Sequence, residues 1–271
     1  MTTRVAIVGA SGKLGTIVRA VIAAEPGYEE HALLGSRSAL SELDGADLVV
    51  DVSTPASSVD VVRAAVERGI PILVGTSGWS AERIALVRPL VAASGSPAVF
   101  IPNFSLGSVI GSALAAAAAP FFSSIEIVET HPNTKIDSPS GTAVRTAELM
   151  ADARSEAGPV EAPHGDQRAR GQQVASIPIH SLRLQGVAAR QQVGFGAPGE
   201  TLTIAHDTTT PAAAYAPGIS LAMRETVRAS GVVVGLDSFI DIGLRVGAPG
   251  PGPDIDDGAA PGGQASGTFS A

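Results

Sequence analysis

Over the first hundred residues the apolar positions fall in short unbroken runs, each followed by small polar residues and then by a helical repeat. Residues 4–8, Arg-Val-Ala-Ile-Val, are such a run, β-branched and closed by glycine, as in a parallel strand buried on both faces. Further strands are expected at 31–34, 47–53, 70–74 and 98–101. Helices are expected at 16–24, at 57–68 with a cap near Ser57 or Ser58, and from the cap Ser80 to about 93. Strands and helices alternating at this pitch make βαβ units with right-handed crossovers and a parallel sheet. After Ser105 the pattern changes. An alanine-rich helix at 106–119 precedes an alternating strand at 125–130 and a helix at 142–154. A polar loop at 158–171 leads to three alternating runs, 175–184, 190–195 and 201–207, whose glycine-containing turns suggest antiparallel pairing. A helix at 219–229, returning to the first half, and a strand at 232–236 would close the structure. Beyond 247 the chain is aperiodic Gly, Pro, Ala and Asp, the composition of a disordered tail. The fold class is therefore α/β, a doubly wound parallel sheet domain followed by an α+β domain with a mixed, mainly antiparallel sheet. The expected domains are 1–105 with 214–246, then 106–213, then the tail 247–271.

Composition narrows the function more than the fold. The 271 residues are 45% apolar, as in a globular protein with a real core. A net charge of −8 argues against a nucleic-acid partner, and an anionic ligand would need a local cationic pocket. The absence of cysteine excludes disulfides and thiolate-bound metal, and no other metal site is expected. The N-terminal apolar run is cut by Gly9 and Gly12, too short for a signal peptide. The apolar segment at 113–119 stops at Pro120, short of a membrane span. A soluble cytoplasmic protein without a membrane partner is the expectation.

Two stretches carry candidate chemistry. Gly9-Ala10-Ser11-Gly12-Lys13-Leu14-Gly15 lies between an expected strand and helix, where a glycine turn brings a dinucleotide pyrophosphate onto the helix N-terminus. Its GxxGxxG spacing is looser than GxGxxG, and a plain tight turn is the ordinary alternative. After the second strand no acid awaits the adenosine ribose. Arg37 stands there between two serines and would suit a 2′-phosphate, which favours NADPH over NADH, unless it is one more exposed loop arginine. The polar loops at the carboxyl ends of the other strands add Thr54, Gly75, Thr76, Ser77 and Asn103 on the cofactor side, or ordinary turn chemistry.

The second stretch is Glu129-Thr-His-Pro-Asn-Thr-Lys-Ile-Asp-Ser-Pro-Ser-Gly-Thr142. The chain has only two lysines, Lys13 in the glycine turn and Lys135 here. His131 can deliver a proton near neutral pH and Lys135 can donate to a carboxylate. Ser140-Gly141-Thr142 can cap a helix and offer its first N–H groups to an anion with the same geometry.

Together with Ile101-Pro-Asn103-Phe104 and Val74-Gly-Thr-Ser-Gly78, these motifs occur in the order seen in bacterial 4-hydroxy-tetrahydrodipicolinate reductases, formerly dihydrodipicolinate reductases, of lysine and diaminopimelate synthesis. The resemblance spans residues 4 to about 244. It implies a homotetramer with a Rossmann-like N-terminal domain, and hydride transfer from NADPH or NADH to a cyclic unsaturated dicarboxylate. It places the catalytic histidine on His131 and the catalytic lysine on Lys135. Carboxylate binding falls on Ser140, Gly141 and Thr142, and cofactor contacts on Ala10 to Gly15, on Gly75, Thr76 and Ser77, and on the stretch holding Asn103 and Phe104. The chain departs from the family at Pro132, where a second histidine is usual, at Arg190 and Gln192, where His and Glu are common, and at Ser138. Arg190 could replace the missing carboxylate contact. Alternatively the substrate has changed, giving a paralogous reductase of another cyclic imine or enamine acid. A non-catalytic NADP(H)-binding sensor is the third reading.

Overall fold

The computed structural model describes residues 2–243, and the expected tail at 247–271 lies outside the described residues. The chain opens as β1 (Thr3–Val8), α1 (Lys13–Ala24), β2 (Tyr28–Leu34), β3 (Leu48–Asp51), α2 (Ser58–Glu67), β4 (Ile72–Val74), α3 (Ala81–Ser94) and β5 (Ala98–Phe100). It continues as α4 (Leu106–Ala118), β6 (Ser124–Pro132), α5 (Gly141–Ala153), β7 (Gln172–Val174), β8 (Ile177–Leu184), β9 (Ala189–Ala197), β10 (Glu200–Thr208), α6 (Pro211–Thr226) and β11 (Val232–Val234). One sheet has the order β11-β5-β4-β3-β1-β2 with every pair parallel, the other the order β10-β9-β6-β8-β7. Both lie in one compact unit, Met1–Ile240.

The unbroken apolar runs have the expected cause. Ala6, Val8, Val49 and Ile72 pack against α2 and α3, while their neighbours Val5, Ile7, Val50 and Leu73 pack against α1 and α6. Burying a side chain the size of Ile7 or Leu73 contributes about 1.5–3 kcal/mol, so a strand needs both faces apolar when helices cover both. A separate core under the mixed sheet joins Ile125 and Ile127 of β6 to Ala143, Ala147 and Met150 of α5. Ser80, Ser105 and Ser140 each accept a hydrogen bond from the backbone N–H three residues on, which starts α3, α4 and α5.

Two expectations need correction. The run at 175–184 does not pair with the next one. β8 lies parallel to β6, and β6 separates it from β9, so of the three runs only the last two, β9 and β10, pair with each other, while β8 forms a tight hairpin with β7. Alternation dictates which face of a strand is buried but not which strand lies beside it. The last helix also starts at Pro211, well before 219. Pro211 occupies the first turn, where its missing N–H is harmless. Pro217 is tolerated inside the helix because packing decides here. Gly218 abuts the carbonyl of Phe104, where any Cβ would collide with backbone, so α6 lies tightly against the loop that follows β5.

Among the described residues, no helix is long and apolar enough to cross a membrane.

Candidate active site

Along β6 one face changes character midway. Ile125 and Ile127 enter the core, and Glu129 and His131 continue the same face as polar groups. Glu129 is fully buried, and its Oε2 accepts from His131 Nδ1 at 2.5 Å. Its Oε1 accepts from the backbone N–H of Ser140 at 3.2 Å. Arg183 of β8, the register partner of His131, donates to both oxygens at 3.0 and 2.9 Å. Burial pushes the Glu129 carboxyl up, but hydrogen bonds from Arg183, Ser181 and His131 outweigh it and hold the group below the usual carboxylate range.

Ser140 caps α5, so the amides of Gly141 and Thr142 begin the helix with no acceptor inside it. Asn103 reaches this turn from the other sheet, donating to Thr142 Oγ1 at 3.3 Å and to Ser108 Oγ at 2.9 Å. Behind it, buried Thr146 donates to the Thr142 carbonyl, pairs with Ser112 and accepts from Gln191. The turn is thus braced from both sheets.

A cleft of about 180 Å³ lies here. From the expected cofactor set it brings together Leu14, Gly75, Asn103 and Phe104. From the expected substrate set it gathers His131, Ser140, Thr142 and Arg190. His206, Thr208 and Tyr215 close it on another side. Lys135 does not line it. That side chain sits in the turn after β6, with Nζ 2.8 Å from both oxygens of Asp137. Gly141 is exposed beside it.

The remaining cofactor-side residues lie around the glycine turn. Gly9 has a φ of +89°, and a Cβ on Gly15 would collide with the Gly9 carbonyl, so loop and helix meet at backbone distance. Ala10 is buried under the turn, whereas Ser11, Gly12 and Lys13 are exposed at the start of α1. No acidic residue lies in the first turn of α1. This cradle, with glycine at the points of closest approach and no acid in the first turn of the helix, fits a dinucleotide pyrophosphate. Thr76 is buried with its hydroxyl donating to the Asp51 carbonyl, and Ser77 is exposed. Thr54 is exposed in the loop after β3. Arg37 is exposed just past the end of β2 and makes no ion pair among the described residues.

The expected cationic pocket is not a set of free charges. Lys135 is paired with Asp137, Arg183 with Glu129 and Arg190 with Asp207. Neutral donors, the α5 amides and the hydroxyls, supply much of the anion-binding capacity.

Three of the departures from the reductase pattern, Pro132, Arg190 and Gln192, lie on one face of the mixed sheet. Thr130 registers with Arg190, and Val128 with Gln192, so these side chains share the sheet face opposite to Glu129 and His131. Pro132, next after His131, alternates to that same far face. Arg190 borders the cleft, with its guanidinium paired to Asp207.

Comparison with known proteins agrees with the geometry. The family descriptions "Dihydrodipicolinate reductase, N-terminus" and "Dihydrodipicolinate reductase, C-terminus" match residues 3–104 and 107–240. The chain belongs to the dihydrodipicolinate reductase family. It is 54% identical to the 4-hydroxy-tetrahydrodipicolinate reductase of Clavibacter michiganensis, with all of both chains covered. It is 44% identical to that of Streptomyces coelicolor, over 88% of this chain and 98% of the relative. A dipicolinate-bound dihydrodipicolinate reductase from Paenisporosarcina sp. TG-14 superposes with a TM-score of 0.75 at 26% identity, covering 89% of this chain and all of that one. The enzyme class follows: an NAD(P)H-dependent reductase of lysine biosynthesis, acting on a small anionic molecule.

Sequence reading of this reductase missed three site residues. Glu129 was legible, since it stands two positions before His131 on an alternating strand. Arg183 was not, because nothing local says that β8 adopts this register beside β6. His206 enters from β10 with Nε2 3.4 Å from Ser105 Oγ, and burial holds its imidazole below the ordinary value against the pull of Asp207. It is a neutral polar group in the cleft wall at pH 7.

Proposed function

We propose that the chain reduces 4-hydroxy-tetrahydrodipicolinate with NAD(P)H, with His131 as proton donor. The reading is carried by the cleft, in which His131, Ser140 and Thr142 face Leu14, Gly75, Asn103 and Phe104. When bound, the nicotinamide supplies a hydride to the unsaturated ring. The electron pair displaced from the conjugated carbon–nitrogen system takes a proton from His131, and the 4-hydroxyl leaves as water, so the sum is one hydride and one proton added and one water lost. The amides of Gly141 and Thr142, with the Ser140 hydroxyl, hold one substrate carboxylate at the start of α5. Lys135 donates to the substrate from the turn after β6, sharing its charge with Asp137. Gly9 to Gly15 cradle the pyrophosphate, Thr76, Ser77 and Phe104 complete the cofactor wall, and Asn103 links that wall to α5.

In this reading the parallel sheet is the cofactor half and the mixed sheet the substrate half. The far face of the mixed sheet, with Leu182 and Leu184 at 45% and 50% exposure, suits burial in a homotetramer. The cytoplasm, where NAD(P)H and biosynthetic intermediates meet, is the proposed location.

A steady-state assay following NADPH oxidation with 4-hydroxy-tetrahydrodipicolinate tests the reading. Saturable turnover is expected, and none at millimolar substrate with folded protein rejects it. The coenzyme preference has its own test. Arg37→Ala is expected to raise the KM for NADPH by roughly tenfold, about the worth of one charge-assisted hydrogen bond, and to leave the KM for NADH nearly unchanged. Equal effects on both coenzymes would remove the assignment of Arg37 to the 2′-phosphate.

A further inference from the structure

The two oxygens of Glu129 serve different parts of the site. Oε2 takes the His131 ring and Oε1 takes the Ser140 amide. Arg183 joins both oxygens and also donates to the backbone carbonyl of Asp137 at 2.7 Å, so it reaches the turn that carries Lys135. We propose that Glu129, with the half-buried Arg183 as its countercharge, is the positioning residue that fixes the proton donor, the carboxylate-binding turn and the lysine turn in one frame. The proposal rests on the roles given above to His131 and the start of α5.

The chemistry follows from burial. A carboxylate removed from water persists as an anion only if it is paired and its lone pairs are filled. Here the guanidinium fork fills one side, and the imidazole and the Ser140 amide fill the rest. The hydrogen bond at Nδ1 selects the ring orientation and leaves Nε2 as the nitrogen free to face the cleft. Because the same carboxylate holds Ser140, a shift of the ring and a shift of the turn are not independent. Donor and substrate carboxylate are held at one spacing, which is what proton transfer to a bound ring needs.

Glu129→Gln keeps the shape and removes the charge. Its kcat is expected to fall about tenfold to a hundredfold, the scale of a misplaced catalytic group. Binding of dipicolinate, used as a non-reacting dicarboxylate probe, is expected to weaken about fivefold through the loosened turn. NADPH affinity should not change. In a His131→Ala background, Glu129→Gln should lower kcat no further and still weaken dipicolinate, because a positioning residue has nothing to act through once the ring is gone. Arg183→Lys keeps the charge but not the fork, and its kcat should lie between wild type and Arg183→Ala. This series carries the test if Glu129→Gln melts early. The proposal is overturned by a folded Glu129→Gln enzyme with kcat within about twofold of wild type, or by losses that multiply in the double variant. Should wild-type protein fail to turn over the substrate, the functional reading falls, and the dipicolinate measurements still decide the role of Glu129.

Discussion

His131→Ala should lower kcat by about 10²–10⁴-fold and leave NADPH binding intact, since general acid catalysis is worth that much and the ring lies on the substrate side of the cleft. The cause is specific to the reduction. Once hydride has added, the product cannot form until the displaced electron pair is protonated, and the cleft offers few acids. Lys135 is engaged with Asp137, and burial keeps His206 neutral. Fluorescence titration of NADPH beside steady-state kinetics separates the outcomes. An unchanged coenzyme Kd with a collapsed kcat is the expected pair, and a parallel loss of both would place His131 outside the chemistry. Lys135→Ala should act mainly on substrate KM, by roughly ten- to a hundredfold, as expected for losing a charge-assisted donor to a carboxylate.

The second large effect is expected on the coenzyme side. Gly15→Ala puts a Cβ where the Gly9 carbonyl stands, and backbone on both sides leaves no flexible side chain to give way. Either α1 slides off the turn or the turn opens, at a cost of about 1–3 kcal/mol in stability. For a chain of this size that is a fall in Tm of about 2–4 °C per kcal/mol. The coenzyme loses more, because the pyrophosphate needs the turn and the first amides of α1 at one fixed approach. Differential scanning calorimetry and NADPH titration measure the two parts. A variant with wild-type coenzyme affinity would show that the turn does not carry the pyrophosphate. The dicarboxylate site, held by β6, β8 and α5, should be unaffected, and dipicolinate binding is the control.

Much of this protein is written locally. The unbroken apolar runs specify strands buried on both faces, and the glycine spacing after β1 specifies a turn onto a helix start. Ser80, Ser105 and Ser140 each mark the start of a helix, because a cap works within three residues. The stretch from Glu129 to Thr142 announces its chemistry by residue type alone. Neighbour relations between distant segments are not written this way. Glu129 and Arg183 stand 54 residues apart, and they meet only because β8 settles beside β6 instead of pairing with β9. The same register sends Arg190, Gln192 and Pro132 to the sheet face opposite His131, yet Arg190 still reaches the rim of the cleft, where it pairs with Asp207. A two-residue period assigns each side chain to one of two faces, but only the assembled sheet says what each face meets. The sequence by itself therefore determined the fold class and the reductase family, and it pointed to His131, the proposed proton donor. The tertiary structure alone decided which charges hold that donor in place, because their pairing depends on strand register across a long separation in the chain.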